Sequence, residues 1–250
     1  MLRLDAITKN FGGLTALDQV SFAVADGSIT GVIGPNGAGK TTLFNIVTGL
    51  YTLSSGRVFL GEKNISFCRT EELAGLGLVR TFQNIELFGR MTVLENVMVG
   101  MHNGTRSGIL SCALKLPGHR REEKYIREKS MEWLRFTRLE DLAHVAAENL
   151  PFGKGRLLEI ARALAARPKI ILMDEPAAGL NSRETLELAS LISKIRESGI
   201  TVVLVEHDMD LVMDICEHIV VLNLGKKLAE GKAVEIQGNP EVIAAYLGTD

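Results

Sequence analysis

The sequence predicts an α/β fold with a mainly parallel sheet at its core. Three observations predict it. Strand-length apolar runs alternate with helix-length segments, the run Gly31-Val32-Ile33 passes at once into a glycine-rich turn that opens a helix, and the run Ile170 to Met173 ends in two acids. Strands alternating with helices imply right-handed crossovers, so the strands lie parallel and helices cover the sheet.

Met1 to Asn10 alternates apolar and polar residues, a strand pattern without the apolar core or small-residue cleavage site of a signal peptide. Val20 to Ile33 alternates and then becomes continuously apolar, as a strand entering a core does. A helix over about Lys40 to Thr48 closes at Gly49, and the turn Ser54-Ser55-Gly56 precedes a short strand, Arg57 to Leu60. This first part is strand-rich. The middle is helical: Thr92 and Glu95 have the spacing of a capping box, and Arg121 to Phe136 is charged and helix-prone. Asn103 to His119, with Gly104, Gly108, Pro117 and Gly118, reads as a loop with a short helix in it. Regular alternation returns from Gly153: a helix to Ala166, a buried strand Ile170 to Met173, a helix Ser182 to Ser198 stopped by Gly199, and a strand Ile200 to Val205. Asn239 and Pro240 open a last helix ending near Leu247. The sequence has no internal repeat.

A chain of 250 residues with 46% hydrophobic and 23% charged residues can bury a core and is not of disordered composition. A net charge of -2 lacks the basic excess that neutralises a nucleic-acid backbone, so nucleic acid is not an expected partner. Cys68, Cys112 and Cys216 lie far apart and match no zinc spacing, which suits reduced packing residues in the cytoplasm. The longest apolar runs, such as Leu73 to Val79, fall well short of the roughly 20 residues that span a bilayer. Any membrane role must come through a partner.

Gly34-Pro35-Asn36-Gly37-Ala38-Gly39-Lys40-Thr41 satisfies G-x-x-x-x-G-K-[ST] between a predicted strand and a predicted helix, the context that motif requires. Glycines let backbone N–H groups turn inward around phosphates and the helix N-terminus adds its dipole. Lys40 reaches the terminal phosphates, and the Thr41 hydroxyl can ligate magnesium. Thr42 belongs either to this site or to the polar face of the helix. Asp174 and Glu175, closing a buried strand, put two carboxylates at a sheet edge: one to hold magnesium, the other to orient and deprotonate a water for in-line attack on the terminal phosphate. Taken alone they also fit a loop with solvated acids. His207 follows the strand Ile200 to Val205 at the edge where ligands collect in open α/β sheets, and can contact the terminal phosphate. Gln83 is by itself an ordinary surface glutamine.

The phosphate loop, Gln83, Leu150-Pro151-Phe152-Gly153-Lys154, Asp174-Glu175-Pro176 and His207 occur in the order and approximate spacing of ABC transporter nucleotide-binding domains, which the chain resembles over nearly its whole length. The resemblance implies a P-loop NTPase of ABC type that hydrolyses ATP with Mg2+. Its parallel core and antiparallel strand-rich part would occupy 1–83 and 156–250, and a helical signature subdomain 84–155. It also implies that Phe11 stacks on adenine, that Gln83 links magnesium to the transporter contact, and that Gly153 begins the signature helix. Two such subunits would bind head to tail, as a homodimer or with a paralogous ATPase, each signature completing the other's site. The pair would drive transmembrane permease subunits from the cytoplasmic face of the membrane, served indirectly by an extracytoplasmic solute-binding protein.

Against the common signature L-S-G-G-Q, Pro151 replaces the serine and Lys154 the glutamine, which removes one hydroxyl contact to phosphate but leaves backbone donors at Gly153. Asn181 stands where aspartate is usual. Glu175 to Asn181, Val205 to Met209, the insertion from Asn103 to Arg121 and the ending Ala245-Tyr246-Leu247-Gly248 resemble the ATPase subunits of branched-chain amino acid importers. ATPases of urea or amide importers and of lipopolysaccharide exporters remain alternatives. So do non-transport ABC ATPases, although those carry two cassettes or a long coiled coil that this chain lacks. A P-loop kinase or GTPase is a third alternative, with GTP binding disfavoured because no N-K-x-D motif is present.

Overall fold

The computed structural model describes residues 1–83, 85–101 and 117–247. The chain divides into two compact units, Met1–Gln83 with Lys169–Asp250, and Asn84–Pro168. The return to the first unit comes at Lys169, where the resemblance implied 156, because the helix that opens at the signature belongs wholly to the second unit.

The first unit contains two sheets. One is antiparallel, in the order β2 (Leu14–Val24), β1 (Leu2–Phe11), β4 (Ser55–Leu60), β5 (Lys63–Asn64). The other runs β10 (Lys226–Gly231), β9 (His218–Asn223), β3 (Ile29–Ile33), β8 (Thr201–Val205), β7 (Ile170–Asp174), β6 (Leu78–Thr81); all its pairings are parallel except β9 with β10. The burial pattern follows from this. Every residue of β3, β7 and β8 is buried, as strands covered on both faces must be, while β1 and β2 mix buried and exposed positions. The alternation from Val20 to Ile33 thus belongs to two strands, β2 and β3, separated by a turn at Gly27 with φ of 67°.

Helix α1 (Lys40–Val47) follows β3 and contributes Leu43, Phe44, Ile46 and Val47 to the core. There they pack with Leu2, Leu4, Leu17 and Val58 of the antiparallel sheet and Val32, Leu172, Val203 and Val220 of the parallel one. Full burial of a side chain such as Phe44 stabilises the fold by about 1.5–3 kcal/mol. Helices α2 (Thr70–Gly75), α6 (Ser182–Glu197), α7 (Met209–Ile215), α8 (Ala233–Gln237) and α9 (Pro240–Leu247) complete the unit. The Asn181 side chain caps α6 by accepting from the N–H groups of Arg183 and Glu184, both at 3.1 Å. Asparagine in place of the usual aspartate therefore retains an N-cap.

The second unit is helical: α3 (Val93–Gly100), α4 (Pro117–Phe136) and α5 (Phe152–Ala165) pack on one another. The expected capping box forms, Thr92 Oγ1 accepting from Glu95 N–H at 3.2 Å and the Glu95 carboxylate accepting from Thr92 N–H at 2.8 Å. Gly100 lets α3 approach α5, since a Cβ there would lie 2.1 Å from the Arg162 carbonyl oxygen. Helix α4 starts at Pro117, inside the segment expected to be a loop; residues 103–116 of that segment, with Cys112, lie outside the described residues. Among the described residues no helix is long and apolar enough to cross a membrane.

Candidate functional site

Parallel pairing brings the chemistry to one edge of the sheet. Asp174 of β7 pairs with Val205 of β8, Val205 with Val32 of β3, and Thr81 of β6 with Met173 of β7. The C-terminal ends of these strands therefore deliver the Gly34 loop, Gln83, Asp174 with Glu175, and His207 to the same side, although up to 173 positions separate them in sequence.

The loop 34–39 connects β3 to α1, and its glycines are required by space and by conformation. A Cβ on Gly34 would lie 2.1 Å from the Leu222 carbonyl oxygen, and one on Gly39, which has φ of 102° and directly precedes α1, would lie 2.7 Å from Leu17 Cδ2. No side chain caps α1, so its first N–H groups remain for an anion. Lys40 is buried, and its ammonium donates to the carbonyl oxygens of Gly34 at 2.6 Å and Pro35 at 3.1 Å. Burial holds its pKa below the usual lysine value, while the negative charges of Glu175 and Asp174 push it back up. That coupling places the phosphate-loop lysine within electrostatic reach of both acids. Asn36 and Thr41 are exposed, Pro35 and Thr42 half-buried, and Ala38 buried.

Glu175 lies just past β7 with φ of 46°, a left-handed conformation costing a non-glycine residue of order 1–3 kcal/mol. The N–H of Glu175 donates to the Val205 carbonyl at 2.9 Å, which fixes it in place. Its carboxylate accepts from Gln83 Nε2 at 2.6 Å and meets His207 Nε2 at 2.8 Å. The three polar residues read separately from sequence thus form one hydrogen-bonded group. Asp174 is buried and its Oδ2 accepts from Arg80 at 2.5 Å. Phe11, at the end of β1, is half exposed; it meets the Tyr51 ring edge-on at 5.4 Å, with the Lys9 ammonium 4.7 Å from its centroid.

The ABC transporter family model matches residues 17–178, and a model described as branched-chain amino acid ATP-binding cassette transporter matches 226–250. The chain belongs to the ABC transporter family. The ATP-binding cassette is 45% identical over 249 residues to the high-affinity branched-chain amino acid transport ATP-binding protein BraF of Pseudomonas aeruginosa, covering 99% of this chain and 98% of that protein. It is 43% identical to LivG of Salmonella typhimurium, which bears the same description, with the same coverage. Among solved structures, an ATP-binding cassette of an ABC transporter in its ADP conformation matches with a TM-score of 0.87 and 36% identity, covering 100% of this chain and 99% of that one.

The cassette's signature segment lies in the second unit. Helix α5 begins at Phe152 after Pro151, whose ψ of 149° keeps it outside the helix, and no side chain caps this end. Gly153 is buried in the first turn. Phe152, 52% exposed, stands where L-S-G-G-Q has its first glycine, a further departure beside Pro151 and Lys154.

The residues present fit magnesium. Among the described residues no three His, Cys, Asp or Glu side chains cluster to hold a metal. Thr41, Gln83 and Asp174 instead offer a hydroxyl, an amide and a single carboxylate. Hard oxygen donors with few carboxylates are what a magnesium ion carried by substrate phosphates uses.

Two charged residues beside this site, Arg80 and Glu206, were not singled out from sequence. Arg80, three residues before Gln83, follows Leu78 and Val79 in β6 and has a side chain only 6% exposed. Glu206 directly follows the five buried residues of β8; its carboxylate accepts from the N–H groups of Ala177 at 2.7 Å and His207 at 3.0 Å, and of Asp208 at 3.4 Å. It thereby ties the loop after Glu175 to the loop that carries His207. Burial raises its pKa above the ordinary glutamate value, against the lowering effect of those N–H groups. A charged residue adjoining an apolar run was the available signal in both cases.

Proposed function

We propose that this cassette hydrolyses ATP with Mg2+ at the sheet edge described above and so powers the import of branched-chain amino acids through membrane permeases. The observation that carries the catalytic part is the Glu175 carboxylate, held by hydrogen bonds between Gln83 and His207. The substrate class is supported by the descriptions of the full-length relatives and by the C-terminal family match.

In this reading the phosphate loop, from Gly34, Pro35, Asn36, Gly37, Ala38 and Gly39 to Lys40, binds the phosphates by backbone N–H groups and the lysine charge, with Thr42 in the same turn. Phe11 holds the adenine. Thr41, Asp174 and Gln83 would hold magnesium, which would supply charge neutralisation for the transferred phosphoryl group. Glu175 takes the proton from the attacking water, and its hydrogen bonds to Gln83 and His207 aim the carboxylate without burying it. His207 then contacts the terminal phosphate. Two cassettes, identical or paralogous, close head to tail so that the α5 N-terminus with Gly153 supplies backbone donors to the partner's nucleotide. The Gln83 region passes this closure to permease helices at the cytoplasmic face of the membrane, and an extracytoplasmic binding protein delivers solute.

The test is affinity purification of the tagged cassette from mild-detergent membrane extracts, followed by leucine uptake in cells lacking its gene. Co-purification of two hydrophobic permeases and loss of leucine uptake, restored by wild type but not by Glu175→Gln, is the expected result. Unchanged leucine uptake with loss of urea uptake moves the substrate to amides; recovery of ribosomal or DNA-bound proteins overturns the transport role.

A further inference from the structure

Arg80 lies on β6 with its side chain only 6% exposed, next to the equally buried Asp174. Its Nη2 donates to Asp174 Oδ2 at 2.5 Å, and its Nη1 donates to Asn45 Oδ1 at 2.6 Å and to Thr48 Oγ1 at 3.3 Å, both reached from the side of α1. Phe44 and Phe82 flank the guanidinium, with ring centroids 5.6 Å and 5.1 Å from Cζ. An arginine is suited to this place: its planar fork can bond two elements at once while its faces lie against aromatic rings, which a lysine ammonium cannot do.

The three elements it connects are the three that carry the magnesium-facing residues. Helix α1 begins with Lys40 and Thr41, β7 ends in Asp174, and β6 leads directly to Gln83. Thr41, Gln83 and Asp174 come from distant parts of the sequence, and their mutual spacing must be set by something rigid. We propose that Arg80 is the positioning residue that sets this spacing: it orients the Asp174 carboxylate and refers it to α1, so that the cassette's affinity for magnesium-bound nucleotide depends on a side chain that touches neither nucleotide nor metal. This rests on the magnesium role given above to Asp174. Groups that hold a metal-facing side chain in place typically change metal affinity by about 10- to 100-fold when lost.

The test measures equilibrium binding of a fluorescent ATP analogue to the purified cassette in excess Mg2+ and in EDTA, with the ratio of the two affinities as readout. Arg80→Lys keeps a charge beside Asp174 but cannot hold Asn45 and Asp174 together, so the Mg2+-dependent gain falls about tenfold or more while the affinity in EDTA stays as in wild type. Asn45→Leu cuts only the link to α1, leaves the Arg80–Asp174 pair intact for folding, and lowers the same ratio by a smaller factor. In an Asp174→Asn background neither substitution changes the ratio further. If Asp174→Asn alone leaves the Mg2+-dependent gain intact, the magnesium role of Asp174 is what fails. If Asp174→Asn removes the gain but Arg80→Lys and Asn45→Leu do not alter it, or lower both affinities equally, the positioning role of Arg80 is overturned and its contribution is to folding alone.

Discussion

Glu175→Gln exchanges a carboxylate for a carboxamide of the same shape, and the local geometry determines what this removes. In the wild type the carboxylate accepts from Gln83 Nε2 at 2.6 Å and meets His207 Nε2 at 2.8 Å. The glutamine can keep both contacts, its oxygen accepting from Gln83 and its NH2 donating to His207 Nε2 when that nitrogen is unprotonated. The backbone, held to Val205, is untouched. What disappears is the negative charge and with it the basicity, and loss of the base should lower turnover by about 10²- to 10⁴-fold, equivalent to roughly 2.7–5.4 kcal/mol of transition-state stabilisation. Nucleotide binding should be retained or tightened, because the anionic phosphates then meet one negative charge fewer at the site. The assay is single-turnover phosphate release from radiolabelled ATP, with binding of a fluorescent analogue measured separately. Turnover within about threefold of wild type would falsify the assignment of Glu175 as base, and loss of binding together with turnover would show that the residue's role is structural.

Lys40→Ala should weaken nucleotide binding itself, and undiminished affinity would count against the phosphate-loop assignment. Gly34→Ala forces a Cβ to within 2.1 Å of the Leu222 carbonyl at a φ of 149°; overpacking and backbone strain together cost about 2–6 kcal/mol, read as a fall in urea midpoint. Glu206 has a raised folded pKa, so its contribution to stability is fully present below the pKa of the unfolded glutamate and is lost as pH rises through the folded value. The stability of wild type relative to Glu206→Gln should therefore decline as pH rises from below the ordinary glutamate range through the folded value, as followed by denaturant unfolding, and a constant difference would contradict the buried-acid assignment. Pro151→Ser restores a hydroxyl at the α5 N-terminus and should raise turnover if that contact is what slows the site; unchanged turnover and ATP affinity would make the hydroxyl irrelevant.

Much of the site was legible because its chemistry is written in short, contiguous motifs. The phosphate loop needs a strand, a run of glycines and a helix start within one stretch, and the acids Asp174 and Glu175 close an apolar run that is itself a strand signal. His207 was legible from its place after β8. The elements from Met209 to Gly231 were less so: the pairing of β9 with β10 is antiparallel and sits at the sheet edge, where alternation is weak and β10 has only one fully buried residue. Arg80 and Glu206 were not legible as site residues at all. A lone charge beside an apolar run usually reads as a solvated position, and only the approach of other elements makes it a buried link.

By itself, then, the sequence determined the fold class, the phosphate loop and the identity of the acids, since each depends on residue types at fixed local spacing. Only the tertiary structure decided that Gln83, Glu175 and His207 share one hydrogen-bonded group, and that Arg80 joins Asp174 to α1. These contacts join residues 32 to 94 positions apart, and their partners are selected by the parallel register of the sheet and the packing of α1 beside it, which no local pattern encodes.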